Sequence, residues 1–581
     1  MVAAVTPPGP APETQSSTFA DFTGGLNLIS DTFKLGPNES PHMLNVDVHQ
    51  RGGIQRRRGW TEVATMGQTR GWGMVGDQTA GDHMIFQTED DELWYWDGGT
   101  PVQLILDSGT DTATAVTVVN SGVVTSDDDW VENCIHWSTF DYVGYGFRGD
   151  ATTPRATVKY DATGVEAGTN SSITTMTDPS VTSWQDDFDS PSGVHMPVAK
   201  FGASHLEYMF VGHPTENSTH MHNRIRWSHP GDAGSWREND YIDIEPGHDG
   251  DHVVALISFR EQLVVLKADS VYVLTGYSHD TFQVIKVADG IGAVSPYAVA
   301  ANEQGVFFFD RHEGLFVYDG QKVSWLFEKI HPALLDGSIE SVASTTVAVL
   351  GRRVWVNCRW NDASNTDAGR SFIFDVDVGA WTCYTGFTET GDTAPNNHIR
   401  HAFMYASDGV NEKPYAELAY NYSATDKSSL CHVDIDGTYA DTITSGPASG
   451  SRETKAVYRS SWIDLGDAAR DKRWRRPEFV LSGGYGQTTT VKVFKDWNAS
   501  TASKTLTIVT SSASGSALWD AVQWGSFSWS QAADLFDEVV RGGAIGSSSR
   551  SVMLEFTGPD DGNAWEMNAF ILKWRNKRLK G

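Results

Sequence analysis

Cysteine, basic residues and long apolar runs are all scarce in this chain. Its 581 residues hold four cysteines, Cys134, Cys358, Cys383 and Cys431. None forms a C-x-x-C pair, and a chain long enough for more than one core does not depend on disulfide staples. All four read as small buried hydrophobes, with a Cys358–Cys383 bridge between neighbouring strands as the alternative. No apolar run approaches the roughly 18 residues that a membrane helix needs, so no membrane insertion by this chain is expected. The opening MVAAVTPPGPAPETQSS lacks a basic n-region and an apolar h-region, so it is read as a Pro-rich extended arm rather than a secretory signal. Lysine and arginine number 44 against 74 acidic residues, a net charge of −30. Phosphate binding needs a basic face, so sequence-specific nucleic-acid binding is not expected. Helical periodicity is confined to short stretches, the best at 331–335 and 531–536. There is no P-loop, no H-E-x-x-H and no G-x-S-x-G elbow in a strand–helix context. The chain is therefore read as a non-enzyme with no cofactor and no metal.

What the chain does have is aromatic side chains and glycine: 21 Trp, 18 Tyr, 26 Phe and 56 Gly. That mixture suits many strands joined by tight turns. Residues 223–276 show it best. Arg224-Ile225-Arg226-Trp227-Ser228 alternates, His229 to Gly234 is turn chemistry, and three apolar strands follow at 253–259, 263–267 and 271–274. A strand ending in an aromatic or aliphatic residue and then Asp-Gly recurs along the chain. Examples are Tyr95-Trp96-Asp97-Gly98, Val317-Tyr318-Asp319-Gly320 and Val433-Asp434-Ile435-Asp436-Gly437. The spacing of roughly 45–60 residues is near that of propeller blades, which cover one another's faces in a ring. The fold class is all-β: an extended N-terminal arm and lead-in over 1–59, a β-propeller over 60–440, a linker of small and polar residues over 441–454, and a β-sandwich over 455–581. About seven blades are expected, with six to eight the range. They fall near 60–106, 128–165, 198–245, 252–288, 296–328, 342–385 and 398–440.

Several constellations invite a chemical reading. Eight histidines lie between His195 and His252. In a strand, His220-Met221-His222 would put two imidazoles on one face, half of a metal site. No Asp, Glu or Cys completes a recognisable spacing, so these are read as structural or solvent-exposed. The Asp runs at 127–129 and 186–189 sit in turn-like sequence, where Asp bonds its own backbone. Residues 228–236 approximate an Asp-box, which is a fold-stabilising turn. The basic clusters are Arg51 with Arg56, Arg57 and Arg58; Lys472 and Arg473 with Arg475 and Arg476; and the run from Lys573 to Lys580. In so acidic a chain these are candidate docking patches for the acidic face of a neighbour.

The lead-in holds Phe22-Thr23-Gly24-Gly25-Leu26-Asn27-Leu28, a Leu35-Gly36-Pro37 turn, an Asn45-Val46 step and a Gly52 to Gly59 close with Arg57. The centre holds Arg224 to Ser228, Trp236, Asn239-Asp240, Ile242-Asp243 and Gly250-Asp251, and Trp462 to Gly466 follows in the C-terminal part. In these motifs the chain resembles bacteriophage virion proteins of the tail nozzle (tubular protein B) and propeller-type minor tail protein group. The resemblance implies a structural tail component in the virion, made in the host cytoplasm. It would sit at the tail tip or head-proximal nozzle and support host attachment or DNA passage. Its implied partners are other tail proteins (hub, tail tube or adaptor), with several copies per virion. The long loops at 107–129 and 164–197 depart from the family pattern. The rival reading is a carbohydrate-binding or glycan-cleaving propeller acting on the host surface, motivated by the Trp content and the loop carboxylates.

Overall fold

The computed structural model describes residues 14–577 apart from 30–33, 50, 68, 78–80, 89–92, 107–113, 116–134, 149–154, 162–172, 183, 185–194, 246–249, 340–341, 361–368, 386–397, 407–411, 423–424, 434–438, 444–449, 454, 484–486, 511–537, 547 and 560–563. Cys134, His248, the Asp runs at 127–129 and 186–189 and the helix expected at 531–536 lie outside the described residues.

Among the described residues, seven mainly antiparallel sheets follow one another around a ring and form a β-propeller. Blade 1 is built from Thr69–Asp77, Gly81–Thr88, Leu93–Trp96 and Val102–Gln103, and blade 2 on His136–Phe140, Val143–Arg148, Arg155–Asp161 and Ile173–Thr175. Blade 3 runs Val198–His205, Tyr208–Glu216, Arg224–Trp227 and Tyr241–Asp243, and blade 4 runs Val253–Phe259, Gln262–Lys267, Ser270–Thr275 and Gln283–Asp289. Blade 5 starts at Val299–Ala301 and blade 6 at Thr346–Leu350. The apolar side chains of one blade pack on the next. Phe210, Trp227 and Phe282 join blades 3 and 4, for example, in edge-to-face contacts of 5.3–5.5 Å with Phe282. The turns carry the Asp-Gly signature for a physical reason. The Asp319 carboxylate accepts from the backbone N–H of Gln321 and Lys322, and Gly320 sits at φ +101°, a conformation that favours glycine.

Blade 7 closes the ring and changes one expected boundary. Its strands are His398–Tyr405, Lys413–Tyr422 and Thr425–His432, and the fourth is Thr61–Gly67, from the other end of the propeller sequence. Residues 61–67 therefore belong to blade 7, not to blade 1. The linker expected at 441–454 also carries structure. Ala440–Ile443 and Gly450–Glu453 form a hairpin on the outer side of Thr61–Gly67. What fixes it there is a buried ion pair. Arg57 donates two hydrogen bonds to Asp441, of 3.0 and 2.6 Å, with both side chains no more than 3% exposed. The Trp60 N–H also donates to Asp441 at 3.0 Å, and the guanidinium lies 4.1 Å over the Trp60 ring.

The β-sandwich draws strands from residues 15–56 as well as from 457–576, so the described part of the lead-in is not a separate element. One sheet is ordered Glu538–Arg541, Glu478–Gly483, Trp565–Asn576, Ile54–Arg56, Val46–Val48, with Gln15–Phe19 and Lys472–Trp474 also paired to the long strand Trp565–Asn576. The other is ordered His42–Leu44, Val457–Arg459, Val552–Thr557, Thr488–Lys495, Lys504–Val509. Alternation sets the faces: Val491, Val493, Leu506 and Ile508 point inward while Thr488 and Lys504 do not. The sandwich core continues into the propeller. One apolar cluster runs from Phe556 and Phe570 through Phe22 and Leu26 to Trp381 and Phe327 of blades 6 and 5. Gly25 sits in this joint at φ +62°, where a Cβ would come 2.6 Å from the Trp381 carbonyl oxygen.

The cysteine reading holds for the described residues: Cys358, Cys383 and Cys431 are free and buried. The approximate Asp-box folds as a compact turn. Asp232 accepts from the Gly234 N–H and the Ser235 hydroxyl, and the Trp236 indole, 1% exposed, donates to the Ala233 carbonyl.

Candidate docking cleft and ring axis

The basic clusters separate once they are placed. Arg56 and Arg57 are 0% and 1% exposed. Arg56 donates to the Pro559 carbonyl and Arg57 is held by Asp441. Neither is a docking residue, because a guanidinium with its partner inside the fold cannot reach a neighbour. Arg58 is half-buried and Arg51 is exposed. Lys472 is also corrected. It is 1% exposed, and its ammonium donates to the carbonyls of Asp467, Arg470 and Arg550. Burial pulls its pKa below the ordinary lysine value.

Arg473, Arg475 and Arg476 behave differently. In Lys472–Trp474 the side chains alternate, so Lys472 and Trp474 turn inward while Arg473 faces out. Arg475 is half-buried and Arg476 exposed. With Arg541, Lys573 and Lys577 they line a cleft of about 1010 Å³ on the sandwich. Its one carboxylate is Glu478, which accepts from Lys573 at 2.6 Å and Arg541 at 3.2 Å. The Lys573 hydrogen bond is the main reason the Glu478 carboxyl is held below its ordinary range. Arg473, Arg475 and Arg476 make no ion pair with a described carboxylate. The sequence marked these three and the Lys573 run as separate patches. Pairing of Lys472–Trp474 and Glu478–Gly483 with the same strand, Trp565–Asn576, merges them. Arg541 was missed, because its place beside Glu478 depends on the long-range pairing of Glu538–Arg541.

Charge is segregated along the chain. Residues 60–454 hold 22 basic and 56 acidic residues, a net of −34, whereas residues 455–581 hold 17 and 13, a net of +4. The cleft thus sits on the one part of an acidic protein that is net basic. A multi-arginine cleft of this kind is electrostatically and geometrically suited to anionic groups.

At the ring axis, side chains from non-adjacent blades meet. The Tyr297 hydroxyl, from the lead into blade 5, donates to the Ile135 carbonyl of blade 2 at 2.5 Å. The Tyr297 ring is 6.0 Å from His136 of blade 2 and 5.6 Å from His401 of blade 7, and His401 is 5.8 Å from Trp72 of blade 1. Blades 2, 5 and 7 can touch one another only near the axis, so these rings fill its centre. Burial lowers the His136 pKa to about 4.

Among the histidines that the sequence pointed to, four gather at one rim: His213, His220, His222 and His252. No three His, Cys, Asp or Glu side chains among the described residues stand ready-placed to hold a metal ion. Among the described residues no helix is long and apolar enough to cross a membrane.

No protein-family model matches the chain, and no curated protein matches it in sequence. Solved structures of distant sequence resemble it, WD40 and β-propeller domains among them. The WD40 domain of Neurospora crassa Pan2 is 8% identical, with 65% of this chain and 97% of that chain covered and a TM-score of 0.35. Chaetomium thermophilum Raptor is 11% identical, with 66% of this chain and 29% of that chain covered and a TM-score of 0.36. YCF48 bound to D1 peptide is 8% identical, with 66% of this chain and 100% of that chain covered and a TM-score of 0.31.

Proposed function

We propose that this chain is a structural component of a bacteriophage tail, a rigid propeller platform that docks neighbouring tail proteins through the basic cleft of its sandwich. The observation that carries the reading is the lead-in. Its family-like residues are those that join the two halves of the molecule: Phe22 and Leu26 in the shared core, Asn45 bonded to Thr385 of blade 6 and to Arg57, and Arg57 on Asp441. Such a joint holds the propeller and the sandwich in fixed relation, as a structural platform requires. The charge pattern supports the same role. An acidic propeller repels nucleic acid, while the cleft offers an anionic neighbour a place to bind. Because Tyr297, His136 and His401 fill the ring axis, DNA in this scheme passes beside each propeller, along its acidic outside, and not through its centre.

The test is peptide mass spectrometry of gradient-purified virions from a phage that encodes the chain, with antibody labelling read by negative-stain imaging. The chain is expected in the virion, with label on the tail. Its absence from purified particles would refute the reading.

A further inference from the structure

The histidine group at the junction of blades 3 and 4 is built unlike the other turns. His213 lies in Tyr208–Glu216 and is 3% exposed, yet neither ring nitrogen has a hydrogen-bond partner. Two unpartnered buried nitrogens are costly unless something else satisfies them. Its backbone is also unusual. His213 sits at φ +54° in the middle of a strand, and the ladder between Val198–His205 and Tyr208–Glu216 skips the Lys200–His213 position. A non-glycine residue held there inside a sheet marks a site where strain serves a purpose.

Three more imidazoles surround it. The His213 ring centre is 4.5 Å from His222, 6.0 Å from His252 and 6.3 Å from His220, and His220 is 6.1 Å from His222. Two imidazoles sharing one tetrahedral ion, at metal–nitrogen distances of about 2.0–2.1 Å, place their ring centres roughly 5 Å apart. Two of the rings are already oriented from behind. His220 Nδ1 meets the Thr215 hydroxyl at 2.8 Å and His252 Nδ1 meets the Gly250 carbonyl at 3.3 Å. Such outer contacts fix the tautomer of a metal-ligating histidine and leave Nε2 as the donor. The charged groups nearby are the Lys200 ammonium and the Asp251 carboxylate, which is bound to Lys267 at 3.2 Å.

We infer that His213, His220 and His222, with His252 beside them, form a binding site for one borderline divalent transition-metal ion, of the class Zn²⁺, Ni²⁺ or Cu²⁺. The donor set is imidazole nitrogen, which suits these ions and not calcium or magnesium. The ligands are not preset, so capture requires the exposed His222 and the half-exposed His220 to turn their rings toward His213. The ion would tie the loop at 217–223 to the start of blade 4, stiffening the rim between two blades.

The test uses the full chain, freed of metal by a chelator and titrated with Zn²⁺ in a calorimeter at pH 7.5. One ion per chain is expected, with a Kd of about 1 μM or tighter. The H220A/H222A double variant changes side chains outside the core. It is expected to keep the melting temperature measured in chelator, to lose at least about tenfold in affinity, and to lose the metal-induced rise in melting temperature. Binding no tighter than about 100 μM, or binding unchanged in H220A/H222A, would overturn the site.

Discussion

Acid should destabilise this protein through a small set of buried histidines, in a range where most proteins still hold. His42, His136 and His205 have pKa values lowered to about 4, and His213 to about 2, each chiefly by burial, against an ordinary value of 6.5. The sign follows from the direction. These groups bind protons more weakly folded than unfolded, so stability is full above pH 6.5 and is lost as pH falls below it. For the first three the loss stops growing near their folded value of about 4. At pH 5 the medium is 1.5 units below the ordinary value, and about 1.4 kcal/mol per unit makes each group cost roughly 2 kcal/mol. Relaxation around the rings reduces that figure. The four together still remove on the order of 4–8 kcal/mol, a large part of the about 5–15 kcal/mol typical of a folded domain. Urea unfolding followed by tryptophan fluorescence and circular dichroism between pH 8 and 5 measures this. The stability curve should steepen below pH 6.5 to an uptake of roughly three to four protons on unfolding at pH 5. H136F replaces one ring by a similar one that cannot charge, and should remove about one proton from that slope. A flat urea midpoint between pH 7.5 and 5, or an unchanged slope in H136F, would refute the reasoning.

Three further outcomes follow from the joints and the cleft. D441N leaves the Arg57 guanidinium buried without its counter-charge and should cost about 3–5 kcal/mol, read as a lower urea midpoint, whereas conservative changes at exposed Arg51 should be silent. G25A forces a Cβ against the Trp381 carbonyl in a positive-φ position. It should cost at least about 1 kcal/mol and raise protease sensitivity at the joint. R473E/R476E should leave the melting temperature within about 2 °C, since these exposed side chains make no ion pair with a described carboxylate, but should abolish salt-sensitive binding of an acidic protein partner in a pull-down at about 50 mM salt.

The blades were legible because each is local. Turn chemistry such as Tyr318-Asp319-Gly320 is written in adjacent residues, and the strands it joins pair with their sequence neighbours. What joins distant parts was not legible. Gln15 pairs with Trp574 and Thr61 with His432, and no local pattern specifies a partner hundreds of residues away. The same limit misplaced Arg56 and Arg57. A basic run reads as a solvated face until the fold brings Asp441 and the Pro559 carbonyl to it. Arg473 faces out because side chains alternate along Lys472–Trp474, and Arg476 is exposed beyond the end of that strand. The histidines were visible as a cluster in sequence. The buried, unpartnered state of His213 depends on strand pairing and could not be read from spacing.

A density map of the intact tail tests the central claim most directly. It should show a seven-bladed disc with a plugged axis, a sandwich seated on blades 5 and 6, and the cleft of Arg473, Arg475 and Arg476 against an acidic surface of a neighbouring tail protein. A tail with no such disc, or one in which that cleft faces open solvent in every copy, would contradict it.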